Sequence, residues 1–182
     1  MKMRNRIAAL LLCVSIGATL AACGNETKSI GASSSVQSEL ESSASEQVGM
    51  PNPWVEAKDQ NDAQEQAGFS IQLPSSLPAE YGAPSFQVIP EETLEADYAG
   101  SGDATITVRK AVGSDDPSGD YNQYADSKQV TVGNVEVTMK GNDGGVSLAV
   151  WQNGDYAYSI GIYNTAGITA EEMRQMVSEM ME

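Results

Sequence analysis

The 182 residues contain no histidine, which excludes Ser-His-Asp triads, Cys-His nucleophiles and histidine-held zinc or iron. Carboxylates, thioethers, aromatic faces and two thiols, Cys13 and Cys23, remain as groups that could do chemistry. Paired carboxylates could run general acid–base hydrolysis and a Ser-Lys pair could supply a nucleophile. The acids, however, are scattered along loops. The four lysines beyond residue 50, Lys58, Lys110, Lys128 and Lys140, show no spacing that singles out such a pair. The chain therefore reads as non-enzymatic, with a carboxylate-dependent cell-wall hydrolase as the alternative from another class.

Four groups of residues could bind rather than catalyse. Met173, Met176 and Met180 fall at i, i+3 and i+7 with Val177 inside the stripe. Thioethers select Cu(I), and methionine surfaces adapt to apolar ligands, but helical spacing around a valine is what packing demands. The run Gly113 to Ser127 holds Asp115, Asp116, Asp120 and Asp126. It lacks the Asp-x-Asp-x-Asp-Gly spacing and closing Glu of an EF-hand, and reads as a solvated acidic turn. Gly141 to Gly145 has no following Lys-Ser/Thr and reads as a turn, not a phosphate cradle. Trp54, Trp151, Tyr156, Tyr158 and Tyr163 could stack on sugars, although hairpin aromatics more often fill a core. No metal or cofactor is expected. The candidate ligand-facing residues are Trp151, Tyr156, Tyr158, Met173, Met176 and Met180.

The elements that must position these groups follow from periodicity. A short helix is expected over Asp59 to Ala67, capped by Asp59 or Asn61 and stopped by Gly68. Alternation predicts a strand over Phe69 to Leu73, another over Phe86 to Ile89, and a third over Ala104 to Ala111. In the third, Ile106 and Val108 point one way; Thr105, Thr107 and Arg109 point the other. A Gly133-Asn134 turn places Val132 opposite Val135, Val130 opposite Val137 and Thr131 opposite Glu136 in the hairpin Gln129 to Met139. In Val146 to Tyr163, an Asn153-Gly154 turn would pair Trp151 with Tyr156 and Ala149 with Tyr158. Neither face of that hairpin is polar, as in a central ribbon covered on both sides or a curved sheet with an apolar hollow. Thr169 and Glu172 form a capping box for a final helix, with Ile168 and Met173 at the staple positions.

The N-terminus is a leader. Lys2, Arg4 and Arg6 precede an apolar run from Ile7 to Leu20, too short to span a bilayer, which needs ~20 apolar residues. Its close, Leu20-Ala21-Ala22-Cys23, resembles the lipobox of bacterial lipoprotein signal peptides. The resemblance implies cleavage between Ala22 and Cys23, with diacylglycerol on the Cys23 thiol. Each buried methylene contributes ~0.8 kcal/mol, so two or more palmitate-type chains anchor stably. Both cysteines are then spent, leaving no disulfide. Losing residues 1–22 leaves seven basic against 25 acidic side chains, a formal charge of about −18. That charge repels nucleic acid and anionic headgroups, so the membrane partner is reached through the lipid alone. Residues 23–52 carry the lipid and a Ser-rich tether, whose roughly 27 flexible residues reach about 30 Å. Residues 53–182 form the domain. Gly24, rather than Asp, after the cysteine argues against inner-membrane retention in a Gram-negative host.

The runs AGFSIQLPSSLPAEY, SGDYNQY, VWQNGDYAYSI and GITAEEMRQM resemble an uncharacterised family of Gram-positive lipoproteins that carry a domain of unknown function. That family is similar to lipoprotein-carrier half-barrels. The resemblance covers roughly residues 53–182 and implies no functional residues. With the periodicity, the expectation is α+β: a single curved antiparallel β-sheet with a short N-terminal helix and a C-terminal amphipathic helix packed on it. The expected role is an extracytoplasmic, lipid-anchored binding or sensing module for an envelope ligand or protein partner. Carriage of an apolar ligand in a sheet–helix cavity is the alternative. Cys23→Ser should release the protein from membranes into the soluble fraction; salt-resistant membrane association of that variant would refute the lipid anchor.

Overall fold

Runs of alternating polar and apolar residues set the architecture, because a strand presents successive side chains to opposite faces. The structure, a computed structural model, describes residues 51–113 and 115–181. The leader, Cys23 and the tether up to residue 50 lie outside them. In chain order the elements are β1 Val55–Ala57, α1 Gln60–Ala67, β2 Ser85–Ile89, β3 Thr93–Ala99, β4 Thr105–Val112, β5 Asp126–Val132, β6 Val135–Asn142, β7 Gly145–Asn153, β8 Tyr156–Tyr163 and α2 Ala170–Glu179. The strands make one antiparallel sheet in the order β1-β2-β3-β4-β8-β7-β6-β5. This is the α+β single-sheet class that the periodicity implied. After β4 the chain leaves the middle of the sheet, crosses to the far edge, and returns strand by strand to β8 beside β4. Residues 115–125 therefore pass over three strands, roughly 15 to 20 Å of sheet width.

The core lies on one face. Leu94, Ala96 and Tyr98 register against Lys110, Val108 and Ile106, and these against Tyr158, Ile160 and Ile162. The row continues through Trp151 and Ala149 to Val137 and Met139. Both helices close this face. In α1 the Asp59 side chain accepts from Asp62 N, Gly68 is left-handed after the last turn, and Ala63 and Ala67 are buried. Small residues there let the helix lie close against β2 and β3. In α2 the expected capping box forms, and Met173, Met176, Val177 and Met180 are all buried. The far end of α2 is tied down by Glu179, which accepts from the backbone N–H groups of Ser75 at 2.7 Å and Ser76 at 2.9 Å. Burial opposes ionisation of that carboxyl, but these donors win and hold it below its ordinary range.

Four expectations need correction. Phe69 to Leu73 joins no sheet. Gln60 Nε2 donates to Ile71 O and Gln64 Oε1 accepts from Ile71 N, both at 2.9 Å, so helix side chains take the place of a ladder. The β7–β8 turn is Gly154-Asp155, not Asn153-Gly154. Only Gly154 has positive φ (62°) there, the type II′ pattern, whereas an Asn-Gly type I′ turn needs positive φ at both positions. The pairing consequently shifts by two residues, which preserves faces but puts Trp151 opposite Tyr158 and Asn153 opposite Tyr156. Strands β1 and β3 were not foreseen, and the first hairpin runs longer, from Asp126 to Asn142. Lastly, the acidic run after Gly113 is not simply a solvated turn, since Ser118 within it is buried.

Met176 anchors α2 and is 1 % exposed. Met176→Ala should lower unfolding free energy by about 2–5 kcal/mol, read from denaturant midpoints at unchanged slope; a loss under about 1 kcal/mol would mean the stripe does not pack as described.

Candidate functional site

The six residues expected to face a ligand all lie on the helix-covered side of the sheet. Trp151 stacks on Tyr158 with centroids 5.3 Å apart and planes 8° from parallel. Tyr156 tilts against Phe69 at 5.1 Å. Met173 and Met176 are enclosed, while Tyr158 and Met180 reach a crevice of about 320 Å³ that Lys110, Gln60 and Gln64 also line. Lys110 is the unforeseen member. Its Nζ donates to Ser70 O at 2.7 Å and sits 4.0 Å from the Tyr156 ring centroid, with Phe69 and Tyr158 at 5.2 and 5.4 Å. Burial pulls its pKa down, and the aromatic faces supply the counter-field that no carboxylate does. Trp54 and Tyr163 are on the other side of the sheet, so the five aromatics make no single stacking platform.

That other side carries a polar row, Gln87, Glu95, Arg109 and Ser159, aligned by register across β2, β3, β4 and β8. Glu95 is almost wholly buried and receives both Gln87 Nε2 and Arg109 Nε. Arg109 also donates to Pro117 O at 3.1 Å and to Ser118 O, and its guanidinium carbon lies 5.4 Å from the Trp54 ring centroid. The crossing loop is thereby strapped onto the sheet. Within it Asp116, Ser118 and Asp120 accept from the N–H groups of Ser118, Asp120 and Asn122, and Tyr124 donates to Asp120 at 2.6 Å. Gly119 is required. Its φ is +62°, and a Cβ would stand 2.6 Å from Arg109 Nη1. Burial pushes the Glu95 carboxyl above its usual range, Arg109 pulls it back, and neighbouring Asp97 pushes it up again. Burial also raises Tyr163 to about 12, aided by Asp120. The signal was present in TLEADYA, where Thr93, Glu95 and Asp97 alternate with Leu94, Ala96 and Tyr98. Without β3, Glu95 had no strand to place it against Arg109.

The arrangement best suited to a ligand is a crevice of about 230 Å³ between the sheet's β5 edge and α2. Its position follows from local pairing. Val146 and Ile168 exchange backbone hydrogen bonds of 2.7 and 3.0 Å, which starts α2 beside the β6–β7 turn. The helix then leads back towards the Val132 end of β5, where Met181 Sδ lies near Gly133. Alternate β5 residues Asp126, Lys128 and Val130 form one wall, Ala170 and Arg174 the other, and Met139 and Val146 contribute apolar floor. Arg174 pairs loosely with Glu171 at 3.5 Å, and Lys128 makes no ion pair among the described residues. Two cations over an apolar floor can hold an anionic group with an apolar neighbour.

Among the described residues no three acidic or cysteine side chains converge to hold a metal ion, and no helix is long and apolar enough to cross a membrane. The chain matches no protein-family model, no curated protein and no solved structure. Removing one partner of the buried pair should be costly. Arg109→Met is expected to lose about 3–5 kcal/mol of stability, and Arg109→Met combined with Glu95→Gln less than the sum of the singles. Strict additivity in urea unfolding would show that the pair is not coupled.

Proposed function

We propose that this chain is a bacterial lipoprotein, held by lipid on Cys23 at the extracytoplasmic face of a membrane, whose domain is a non-enzymatic binding or sensing module. The resemblance to Gram-positive lipoproteins belongs to the same reading. The observation that carries the binding role is the β5–α2 crevice, where Lys128 and Arg174 flank an apolar floor in a chain of net charge −15. Cations are scarce in this chain, so two on opposite walls of one crevice favour an anionic ligand. The crevice is smaller than the ~300–1,000 Å³ of drug-sized sites, which favours a group or side chain over a whole lipid as occupant. The hydrolase alternative has less support. Glu95 and Asp97 share a face, but Glu95 is bound by Arg109 and Gln87 and largely closed from solvent, whereas glycoside hydrolysis needs two carboxyl groups flanking an open substrate.

An anilinonaphthalene sulfonate dye combines an apolar body with one negative charge and serves as probe. The Cys23→Ser protein should bind it with one-to-one stoichiometry, and Lys128→Glu with Arg174→Glu should weaken binding about tenfold. Absence of binding, or binding indifferent to both charge reversals, would overturn the crevice as a ligand site.

A further inference from the structure

The strand that walls this crevice is also an edge of the sheet. β5 closes the sheet order, and among the described residues it pairs only with β6. Its seven residues contrast with the three of β1 at the opposite edge, and short edge strands are a standard protection against further pairing. Val132 and Val135 flank a two-residue turn, so they form a hydrogen-bonded pair, and the alternation returns at Val130, Lys128 and Asp126. The intervening residues Ser127, Gln129 and Thr131 therefore direct their N–H and C=O groups away from β6. Among the described residues no strand pairs with this ladder.

Side chains of any strand added here obey the same alternation. Those opposite Lys128 and Val130 would point to the α2 side and enter the crevice. There they would meet the Lys128 ammonium, the Arg174 guanidinium and the apolar surface of Val130, Met139 and Val146. Asp126 at the start of β5 repels a second acid and so helps to fix register.

We infer that β5 and α2 form a docking groove for an extended acidic segment of a partner protein, which adds to the sheet as a ninth strand. The inference rests on the crevice being a ligand site and names its occupant. Backbone pairing gives affinity, and the two side chains that enter the crevice give selectivity. For an antiparallel addition the residue opposite Val130 comes first, so the recognised pattern reads apolar-x-acid from N- to C-terminus. Lys128, which has no ion-pair partner among the described residues, gains one without displacing another. The local pairing of the acid with Lys128 and Arg174 makes the complex salt-sensitive.

The probe is the acetylated, amidated peptide Ser-Thr-Val-Thr-Glu-Thr-Ser, titrated into the Cys23→Ser protein and followed by amide hydrogen exchange and chemical shift. Exchange at Ser127, Gln129 and Thr131 should slow, and a peptide with Lys in place of Glu should bind at least about tenfold more weakly. Gln129→Pro removes an outward N–H without touching the β6 ladder; it should abolish peptide binding while leaving dye binding intact. Because that variant could misfold, a peptide N-methylated at alternate residues tests the same contact on the unaltered protein and should not bind. Unchanged exchange at the β5 edge, equal affinity for the Lys peptide, or tolerance of N-methylation would each overturn the docking groove. So would protection of the crevice by phosphatidylglycerol vesicles in place of the peptide. Dye binding without peptide binding would leave the crevice as a ligand site and remove this occupant.

Discussion

The contact between Arg109 and Glu95 is what allows a single sheet with two short helices to be closed on both faces. The helices cover one side. The other is covered by a crossing loop that the topology makes unavoidable, since β4 lies in the middle of the sheet and β5 at its far edge. A loop laid over a sheet brings backbone carbonyls that need donors, and Arg109 supplies them to Pro117 and Ser118 from one rigid fork. A guanidinium drawn under cover in this way needs an anion. Glu95, opposite it in register, is that anion, and Gln87 satisfies the second carboxylate oxygen. The pair is less a source of net stability than a condition on the rest, because breaking a buried pair costs far more than making it gains.

How much of this could be read from residues alone depends on how local each signal is. The α2 cap, its stripe and the Val130–Val137 pairing were legible, because each is settled within one turn or one hairpin. The β7–β8 register was not, because Asn153-Gly154 and Gly154-Asp155 both offer a turn. The choice falls to Trp151 stacking on Tyr158, a contact between strands. Phe69 to Leu73 alternates like a strand but sits beside α1, where Gln60 and Gln64 take its backbone groups. The polar row was hidden for the opposite reason. Glu95 reads as a solvent acid until β3 is recognised and a partner strand places Arg109 against it.

The crevice was not legible either, for a further reason. Its walls are a strand end, a turn and the first turns of a helix that meet only because Val146 bridges Ile168. No single segment carries its pattern. Of the candidate ligand-facing residues, Trp151, Met173 and Met176 are large side chains that fill the interior.

The distribution of cations ties these observations together. In so acidic a chain each basic side chain has a surplus of acids to choose from. Among the described residues Lys58, Arg109, Lys140 and Arg174 take one, although the Lys58 and Arg174 pairs are exposed and weak. Lys110 is buried under aromatic rings. Among the described residues Lys128 is neither paired nor caged, and it stands on the longer of the two edge strands of the described sheet. A lysine at such a position can act simply to keep other strands away. The same charge, facing Arg174 across an apolar floor, ceases to repel when the arriving strand carries an acid at that register. It then discriminates among strands instead of excluding them all.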